Sequence, residues 1–325
     1  MKTITSSYYP VFSFKFLNAL VIHMRPYLLF VSGSAGLAGM ALAWQNGNNV
    51  LLFILAFIPF FLGYGFGQAL TDCFQTDTDS ISASYRPLVK KEISPRSLII
   101  VSLSGLTAIG IPIILLNPNN ILFCMLSILG LATYTFFKKN FWMAGPFYNG
   151  WIVMLLPVMG FLATNGKSLS SLLNQQLLLL CIVTLFSYAN FVLMGYLKDI
   201  SADRKTGYHT FPVVFGWNKT VWLADLFLVL FSIGILSLVE PENPIAFSVV
   251  ILALLVALSG QLKAHLTKTK TEENAAYPII STVRTFILLH CAVALYFQPA
   301  WIWFCLLFYG AFELVLFSRP EKNQI

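Results

Sequence analysis

The sequence predicts an all-α fold, a polytopic bundle of nine to ten transmembrane helices, from three observations. Of its 325 residues, 58% are hydrophobic and 10% are charged, whereas a soluble globular protein carries about 25% charged residues. Ten segments have the roughly 20 mainly apolar residues that a membrane-crossing helix needs. Short turn-forming stretches, such as "NPNN" at 117–120, separate several of these segments. Composition therefore favours a membrane protein over a soluble one.

The predicted spans follow the apolar runs in order, within a single domain covering residues 1–325. They lie at roughly 26–44, 50–70, 98–116, 120–137, 145–163, 176–197, 220–239, 244–262, 281–297 and 299–318. The ninth is the least certain span, because it is short and contains Arg284 and His290. For this reason the prediction is nine to ten spans.

The basic residues are distributed asymmetrically across the predicted membrane. With ten spans, 19 of the 20 Lys and Arg residues fall on one side, and only Lys167 falls on the other. Loops rich in Lys and Arg remain in the cytoplasm. The chain is therefore predicted to lie in the inner (plasma) membrane with both termini in the cytoplasm. The net charge of +7 reflects this topology, so no nucleic-acid partner is expected. The five cysteines show no paired spacing and are predicted to be free thiols.

Acidic residues gather on the same predicted side. Five of the six aspartates lie in two loops, Asp72, Asp77 and Asp79 after the second span and Asp199 and Asp203 after the sixth. Four spans separate the two clusters. This spacing predicts a pseudo-repeat in which spans 1–4 correspond to spans 5–8.

The spacing within each cluster places carboxylates on a common helical face. Asp199 and Asp203 stand at i and i+4, and Asp72, Gln75 and Asp79 stand at i, i+3 and i+7. Grouped carboxylates repel one another unless a cation lies between them. Mg²⁺ prefers hard oxygen ligands and commonly takes one or two carboxylates together with water and phosphate oxygens. The two loops are therefore predicted to bind Mg²⁺.

Basic residues are interleaved with these acids, which indicates a ligand that needs both. They are Arg86, Lys90, Lys91, Lys138, Lys139, Lys198, Arg204 and Lys205. Acids that hold a metal beside bases that hold phosphate favour a diphosphate bridged by Mg²⁺. The simplest alternative is a solvated loop with ordinary surface charge. The clustering of the aspartates argues against it.

A transporter is a second alternative. Transporters place ionisable groups near the middle of the bilayer, at broken helices. Here the spans contain acids only at Asp225 and Glu313, and the polar chemistry lies at the cytoplasmic rim. This arrangement instead favours an amphiphile with a charged head and an apolar tail, such as a prenyl diphosphate.

At the two acidic loops the sequence resembles the UbiA superfamily of intramembrane prenyltransferases. The family's first motif, N-D-x-x-D-x-x-x-D followed by Arg-Pro, is similar to the stretch 71–79 followed by Arg86 and Pro87. Its second motif, D-x-x-x-D followed by Gly, is similar to Asp199, Asp203 and Gly207. Two further matches are the Y-x-x-x-K motif at Tyr134 and Lys138, and the Arg-Pro pair at Arg25 and Pro26.

The resemblance implies an all-α bundle around a central cavity, in which Mg²⁺ binds a prenyl diphosphate. Ionisation of that substrate gives an allylic cation, which an acceptor captures. The implied catalytic residues are Asp72, Asp79, Asp199 and Asp203, and the implied metal ligands are these four and Gln75. The implied diphosphate-binding residues are Arg25, Arg86, Tyr134, Lys138, Lys198 and Arg204. The expected partners are a prenyl diphosphate, a hydrophobic, aromatic or lipid-like acceptor, and the bilayer.

The first motif departs from the family pattern at two positions. Thr71 stands where the family has Asn, and Gln75 stands where it has the second acid. Both keep an oxygen that can ligate a metal, but Gln75 lacks the charge, which leaves Asp77 as an alternative ligand. A first motif without its middle acid also resembles the UbiA-type terpene cyclases, in which the cation closes on the substrate's own double bonds. Transfer and cyclisation therefore both stay open.

A few polar residues within or beside the spans allow two interpretations each. Asn149, Gly150 and Asn190 either line the implied cavity or serve helix packing, where an in-span Asn often makes an interhelical hydrogen bond. His23 and His209 either accept a proton from an aromatic acceptor or lie at the interface without a chemical role.

Overall fold

The computed structural model describes residues 8–45, 48–165 and 168–319. Within these ranges all regular secondary structure is helical, as predicted. Ten of the described helical segments are long and apolar enough to cross a membrane, which favours ten spans over nine. Lys167, the single basic residue assigned to the opposite side, lies outside the described residues.

Thirteen α-helices form the described part of the chain. They are α1 Phe14–Met24, α2 Leu29–Ala43, α3 Val50–Asp72, α4 Thr76–Ser82, α5 Pro95–Leu116, α6 Asn120–Asn140, α7 Ala144–Asn165, α8 Gln175–Gly195, α9 Ile200–Lys205, α10 Phe211–Leu238, α11 Pro244–Leu266, α12 Ala276–Phe297 and α13 Ile302–Phe317. The short helices α4 and α9 carry the two acidic loops.

Polar residues at the helix starts explain several boundaries. The side-chain oxygens of Asn49, Asn174 and Asn243 accept hydrogen bonds from backbone amides in the first turns of α3, α8 and α11. Such caps satisfy amide groups that have no partner within the helix. The turn-forming residues that separate the apolar runs therefore also start the helices that follow.

Helices α2, α7, α8 and α12 form the interior of the bundle. Of the residues in the span that contains α2, 89% are buried, whereas 17% are buried in the span of α5 and 17% in that of α6. Glycines in α2 allow this close packing, since small residues let transmembrane helices approach each other. A Cβ added at Gly39 would lie 2.0 Å from the carbonyl oxygen of Pro157, and one at Gly36 would lie 2.2 Å from Phe60.

Two elements differ from the sequence prediction. Helix α1, which was not predicted, packs Phe16 and Leu20 into the protein and leaves Phe14 exposed. Helix α10 begins at Phe211, before the predicted start at 220, and contains Gly216 at φ 79°. The polar residues around Gly216 interrupt the apolar run, so hydropathy alone placed the start too late.

The tenth spanning helix, α13, is attached by an ion pair and by aromatic packing. Arg284 of α12 donates two hydrogen bonds of 2.7 Å to the carboxylate of Glu313 on α13, and Tyr309 donates a third of 2.8 Å. Phe304 and Phe308 of α13 contact aromatic rings of α3. Arg284 and Glu313 therefore neutralise each other within the bundle.

We predict that Glu313→Ala lowers the free energy of unfolding in detergent micelles by about 1–2 kcal/mol, because Arg284 loses its partner in an apolar setting. Replacing both residues together, Arg284→Met with Glu313→Leu, should restore stability, since apolar side chains need no partner. Glu240→Ala, at an exposed position, is the control. A double variant as unstable as the single one would contradict the role of the ion pair.

Candidate active site at one end of the bundle

Two adjoining cavities lie inside the bundle. One, of about 240 Å³, has a largely charged lining at the end where α3, α6 and α8 finish. The other, of about 140 Å³, is mainly apolar and lies among α3, α5, α6 and α7. Both are lined by the same five residues, which we call the collar: Tyr64, Gln68, Tyr134, Asn149 and Tyr188. A charged chamber and an apolar chamber therefore meet at this collar.

Eight of the predicted site residues line the charged cavity. They are Arg25, Gln75, Asp79, Arg86, Tyr134, Lys138, Lys198 and Asp199. Asp72 and Asp203 are buried behind this lining and contact residues within it. Arg204 is exposed and does not line the cavity, so its predicted role in binding diphosphate has no support from its position.

Asp72, at the end of α3, is surrounded by donors. Its Oδ1 accepts hydrogen bonds from Arg25 at 2.9 Å and from Gln68 at 2.7 Å, and Arg86 Nη1 lies at 3.4 Å. Its Oδ2 accepts one from His23 at 3.0 Å. Burial of a carboxylate requires such compensation. The side chain therefore belongs to a structural network behind the cavity wall.

Arg25 and His23 reach Asp72 because of the local backbone. Arg25 adopts φ 50° between α1 and Pro26, a region that side-chain-bearing residues rarely occupy and that often marks functional sites. The amide of Leu88 donates to Nε2 of His23, so the ring proton lies on Nδ1 and points at Asp72. His23 thereby positions Asp72, and these contacts do not favour the interpretation in which it accepts a proton from an acceptor.

Arg86 joins the two aspartates of the first loop. Its guanidinium hydrogen-bonds Asp79 and lies close to Asp72. Burial opposes its charge, but Asp72 and Asp79 raise the pKa of Arg86 above its ordinary value. Asp77 points away from the cavity and pairs with Lys139 at 3.4 Å, so this geometry does not favour it as the alternative ligand.

Lys138 connects the first loop to the second. Its Nζ donates to Gln75 Oε1 at 3.2 Å and lies 3.9 Å from Asp203 Oδ1. The rings of Tyr196 and Tyr208 lie 5.2 and 5.1 Å from the same ammonium group, within cation–π range. The amide that replaces the family's middle acid therefore holds a lysine.

The two acidic loops also touch directly. The hydroxyls of Thr78 in α4 and Thr206 after α9 are 3.1 Å apart. However, no three His, Cys, Asp or Glu side chains in the described ranges stand close enough to share one ion. The predicted ligands thus divide into Asp72 and Asp79 with the arginines, and Asp199 and Asp203 beside the lysines.

The second acidic pair provides the better fit to a divalent cation. Asp203 Oδ2 accepts a hydrogen bond from Thr210 at 3.0 Å, whereas its buried Oδ1 has no hydrogen bond within the described residues. Burial raises the pKa of Asp203 to about 6, although Lys138 opposes the shift. A hard cation beside Oδ1 would satisfy that oxygen and favour its charged form. One or two carboxylates suit Mg²⁺.

The lining charge supports the same conclusion. Arg25, Arg86, Lys138 and Lys198 are basic, and four acids face the same cavity: Asp79, Asp199, Glu272 and Glu273. Because these charges balance, a diphosphate would bring excess negative charge into a partly buried space. A bound divalent cation offsets it. The donor set therefore fits Mg²⁺ together with an anionic phosphate group.

Glu272 and Glu273 were missed in the sequence. They precede α12, far along the chain from both acidic motifs. Glu272 accepts hydrogen bonds from the amide and the hydroxyl of Ser201 in α9, which brings the α11–α12 loop to the cavity. No spacing rule connects these positions, although Gln68, one helical turn before Asp72, was accessible from helical periodicity.

Of the remaining polar residues named in the sequence analysis, one lines the cavities and the others do not. Asn149 lines both cavities, which agrees with the first of its two interpretations. Gly150 packs against Leu185 of α8, and Asn190 accepts an interhelical hydrogen bond of 3.4 Å from Gln261. His209 is exposed and contacts the carbonyl of Lys139. Helix packing therefore accounts for Gly150 and Asn190, and His209 lies at the surface away from both cavities.

The arrangement suits an amphiphile. The collar tyrosines form hydroxyl pairs, Tyr188 with Tyr64 at 3.0 Å and Tyr134 with Tyr196 at 3.0 Å. The collar rings border apolar space, while their hydroxyls are satisfied by each other or by Tyr196. An anionic head on the charged side and an apolar chain on the other would meet at the collar.

Comparison with protein families gives one match over most of the chain. The profile of the UbiA prenyltransferase family matches residues 32–284. This range contains both acidic loops and ends within α12, so α13 lies beyond it.

Two similar sequences share one name. Digeranylgeranylglyceryl phosphate synthase of Methanothrix thermoacetophila is 26% identical over 242 residues, covering 74% of this chain and 87% of that protein. The protein of the same name from Pyrococcus abyssi is 23% identical over 266 residues, covering 80% and 90%.

Solved structures share the fold. The apo UbiA homologue from Aeropyrum pernix K1 has a TM-score of 0.69 at 18% identity, covering 82% of this chain and 96% of that chain. A UbiA homologue from Archaeoglobus fulgidus, bound to DMAPP and Mg²⁺, has a TM-score of 0.64 at 16% identity, covering 85% and 98%. At these identities the likeness demonstrates a common fold.

We predict that Arg86→Ala lowers the free energy of unfolding by about 3–5 kcal/mol, because two buried aspartates lose a shared counter-charge. Thermal unfolding in detergent micelles measures the effect. Arg96→Ala, at an exposed position in the first turn of α5, should change stability by at most about 0.5 kcal/mol. Equal effects of the two substitutions would contradict a structural role for the Arg86 network.

Proposed function

Because this chain belongs to the UbiA prenyltransferase family, we propose that it transfers the prenyl group of a prenyl diphosphate to an acceptor within the membrane. The observation that carries the proposal is the collar, where a charged cavity meets an apolar one. A prenyl diphosphate has its reactive carbon between an anionic head and an apolar tail. This carbon would therefore lie at the collar.

Cationic side chains in the charged cavity bind the diphosphate in this proposal. Lys138 and Lys198 line it from the ends of α6 and α8, and Arg25 and Arg86 line it from the first-loop network. Preorganised positive groups stabilise negative charge that develops on a leaving group without further reorganisation. Tyr134, which lines both cavities, borders the bond that breaks.

Mg²⁺ is the proposed cofactor, with Asp199 and Asp203 as its principal protein ligands. When bound, it neutralises charge on the diphosphate and so promotes departure of that group. Asp79 and Gln75 line the same cavity and complete the candidate ligands on the first-loop side. Asp72 acts chiefly by holding Arg25 and Arg86. Mg²⁺ and DMAPP in the Archaeoglobus fulgidus homologue support this assignment.

The apolar cavity shields the allylic cation from water. Exclusion of water prevents its capture as an alcohol, and aromatic faces attract cations by about 0.5–2 kcal/mol each. Tyr64 and Tyr188 present rings where the two cavities meet. These residues are the candidates for stabilising the cation before the acceptor reacts.

We place a lipid-like alcohol first among the acceptors, with an aromatic acceptor second. The name of the relatives, digeranylgeranylglyceryl phosphate synthase, indicates a glyceryl phosphate lipid in those proteins. The charge asymmetry of the loops supports an orientation with both termini in the cytoplasm of a cell with an inner (plasma) membrane. Substrate would then bind from the cytoplasmic side.

We predict that Asp199→Asn and Asp203→Asn each lower kcat/KM by about 10²-fold or more, because each removes a charge that the cation needs. Turnover of geranylgeranyl diphosphate by purified protein, titrated with Mg²⁺, measures this. Asp225→Asn is the matched control, since Asp225 pairs with His265 on α11, away from both cavities. Full activity of both site variants would contradict the metal assignment.

Acceptor dependence separates transfer from cyclisation. We predict that diphosphate release requires an acceptor and that a prenylated product forms with a geranylgeranylglyceryl phosphate or an aromatic acceptor. The measurement is mass spectrometry of the products with each acceptor and with none. Release of diphosphate without acceptor, yielding a cyclic hydrocarbon or alcohol, would favour a terpene cyclase. Movement of substrate across vesicles without chemistry would favour a transporter.

A further inference from the structure

The short helix α9, which carries Asp203, does not begin in the usual way. Asp199 occupies its N-cap position, where an Asp side chain normally accepts a hydrogen bond from the amide of the second or third helical residue. In the described chain the Asp199 carboxylate makes no such bond, and it lines the charged cavity instead. The first amide groups of α9 therefore need a partner from another part of the chain.

Glu272, 71 positions beyond Ser201, supplies that partner. One of its carboxylate oxygens accepts a hydrogen bond from the backbone amide of Ser201, the second residue of α9. The other oxygen accepts one of 2.9 Å from the Ser201 hydroxyl. This amide is one of the two that an N-cap side chain would otherwise bind. Glu272 therefore caps α9 in place of Asp199.

The loop that carries Glu272 is stabilised by hydrogen bonds of its own. Lys270 donates to the carbonyl of Ala264 at the end of α11, at 3.1 Å. Asn274 donates to the carbonyl of Thr269 at 3.0 Å. These bonds hold the segment between α11 and α12 against the end of α11. Glu272 is therefore presented to α9 from a supported position.

The backbone of Asp199 agrees with this exchange of roles. Its φ of −114° and ψ of 11° lie outside the extended region that a capping residue normally adopts. The amide of Asp203 donates to the Asp199 carbonyl at 2.8 Å, so one helical turn fixes the two acids relative to each other. A change of the Asp199 backbone to the capping conformation would bring its carboxylate to the Ser201 amide and away from the cavity.

We propose that Glu272 is a positioning residue for the metal site, because by capping α9 it leaves the Asp199 carboxylate available to the cation. This inference rests on the proposed function, in which Asp199 and Asp203 are the principal Mg²⁺ ligands. Without Glu272, the Ser201 amide competes with the cation for the Asp199 carboxylate, and metal affinity falls by the free energy of that cap. Glu272 is not itself a ligand, since Ser201 engages both of its oxygens.

Two conservative substitutions separate the cap from the charge. Glu272→Gln keeps an oxygen that can accept from the Ser201 amide but removes the negative charge. Glu272→Asp keeps the charge but is one methylene shorter, which takes the carboxylate out of reach of that amide. We expect Glu272→Asp to raise the Kd for Mn²⁺ by about fivefold or more, the effect of losing one helix cap, and Glu272→Gln to change it by less than about twofold.

Mn²⁺ binding to purified protein in detergent micelles, measured by electron paramagnetic resonance of the unbound ion, gives this Kd without any turnover. Mn²⁺ suits the same carboxylate and water ligands as Mg²⁺. Glu242→Ala is the matched control. It removes an exposed acid just before the start of α11, whereas Glu272 follows the end of that 23-residue helix. The control should bind Mn²⁺ as the wild-type protein does.

The outcomes separate this inference from the proposed function. Weaker binding in Glu272→Asp together with near-wild-type binding in Glu272→Gln supports the inference. A loss in Glu272→Gln as large as that in Glu272→Asp overturns it, because Glu272 then acts through its charge or as a ligand. Unchanged binding in both variants also overturns it and leaves the metal assignment intact. Wild-type protein that binds no Mn²⁺ contradicts the metal assignment itself, and the inference with it.

Turnover provides a second measurement that a loss of folded protein would not reproduce. The Mg²⁺ concentration for half-maximal turnover of geranylgeranyl diphosphate should rise about fivefold in Glu272→Asp, while kcat at saturating Mg²⁺ stays within about twofold of the wild-type value. A lower kcat with an unchanged Mg²⁺ requirement overturns the inference, because it indicates less active protein or a different role for Glu272.

Discussion

Charge compensation around Asp72 is the constraint on which the rest of the site depends. The carboxylate is buried at the end of α3 and contacts His23 and Arg25 from the end of α1, and Arg86 from the loop before α5. An uncompensated charge at such a place costs several kcal/mol. The entry of the chain into α2, the end of α3 and the loop before α5 are therefore positioned relative to one another by one side chain.

This network also explains why the acidic residues of the two loops have different partners. Asp72 and Asp79 form ion pairs with Arg25 and Arg86, and Gln75 accepts a hydrogen bond from Lys138. The second loop keeps a buried carboxylate oxygen without a hydrogen bond in the described chain, on Asp203. The predicted pseudo-repeat would place the loops in equivalent positions, yet their contacts differ. One loop mainly organises positive charge, and the other is better suited to bind a cation.

The second organising feature is the change of solvent character at the collar. Tyrosines suit the collar because a tyrosine hydroxyl can form a hydrogen bond with another hydroxyl while its ring packs on apolar groups. The charged cavity and the apolar cavity share the five collar residues. A reaction that separates an anion from a carbocation needs this boundary, since the two products require opposite surroundings.

The ten spans were determined by the sequence alone, and ten helices lie close to the predicted ranges. Membrane insertion depends on the summed hydropathy of about 20 consecutive residues, which is a local property. The sequence did not predict helix α1 or the correct start of α10, because polar residues interrupt the apolar residues there. Only the tertiary structure decided which acid meets which base, since Arg25 and Asp72 are 47 positions apart and Lys138 and Gln75 are 63 apart. It also decided the places of Glu272, Glu273 and the cavities. These depend on how helices cross and where glycines let them approach, and hydropathy carries no information about either.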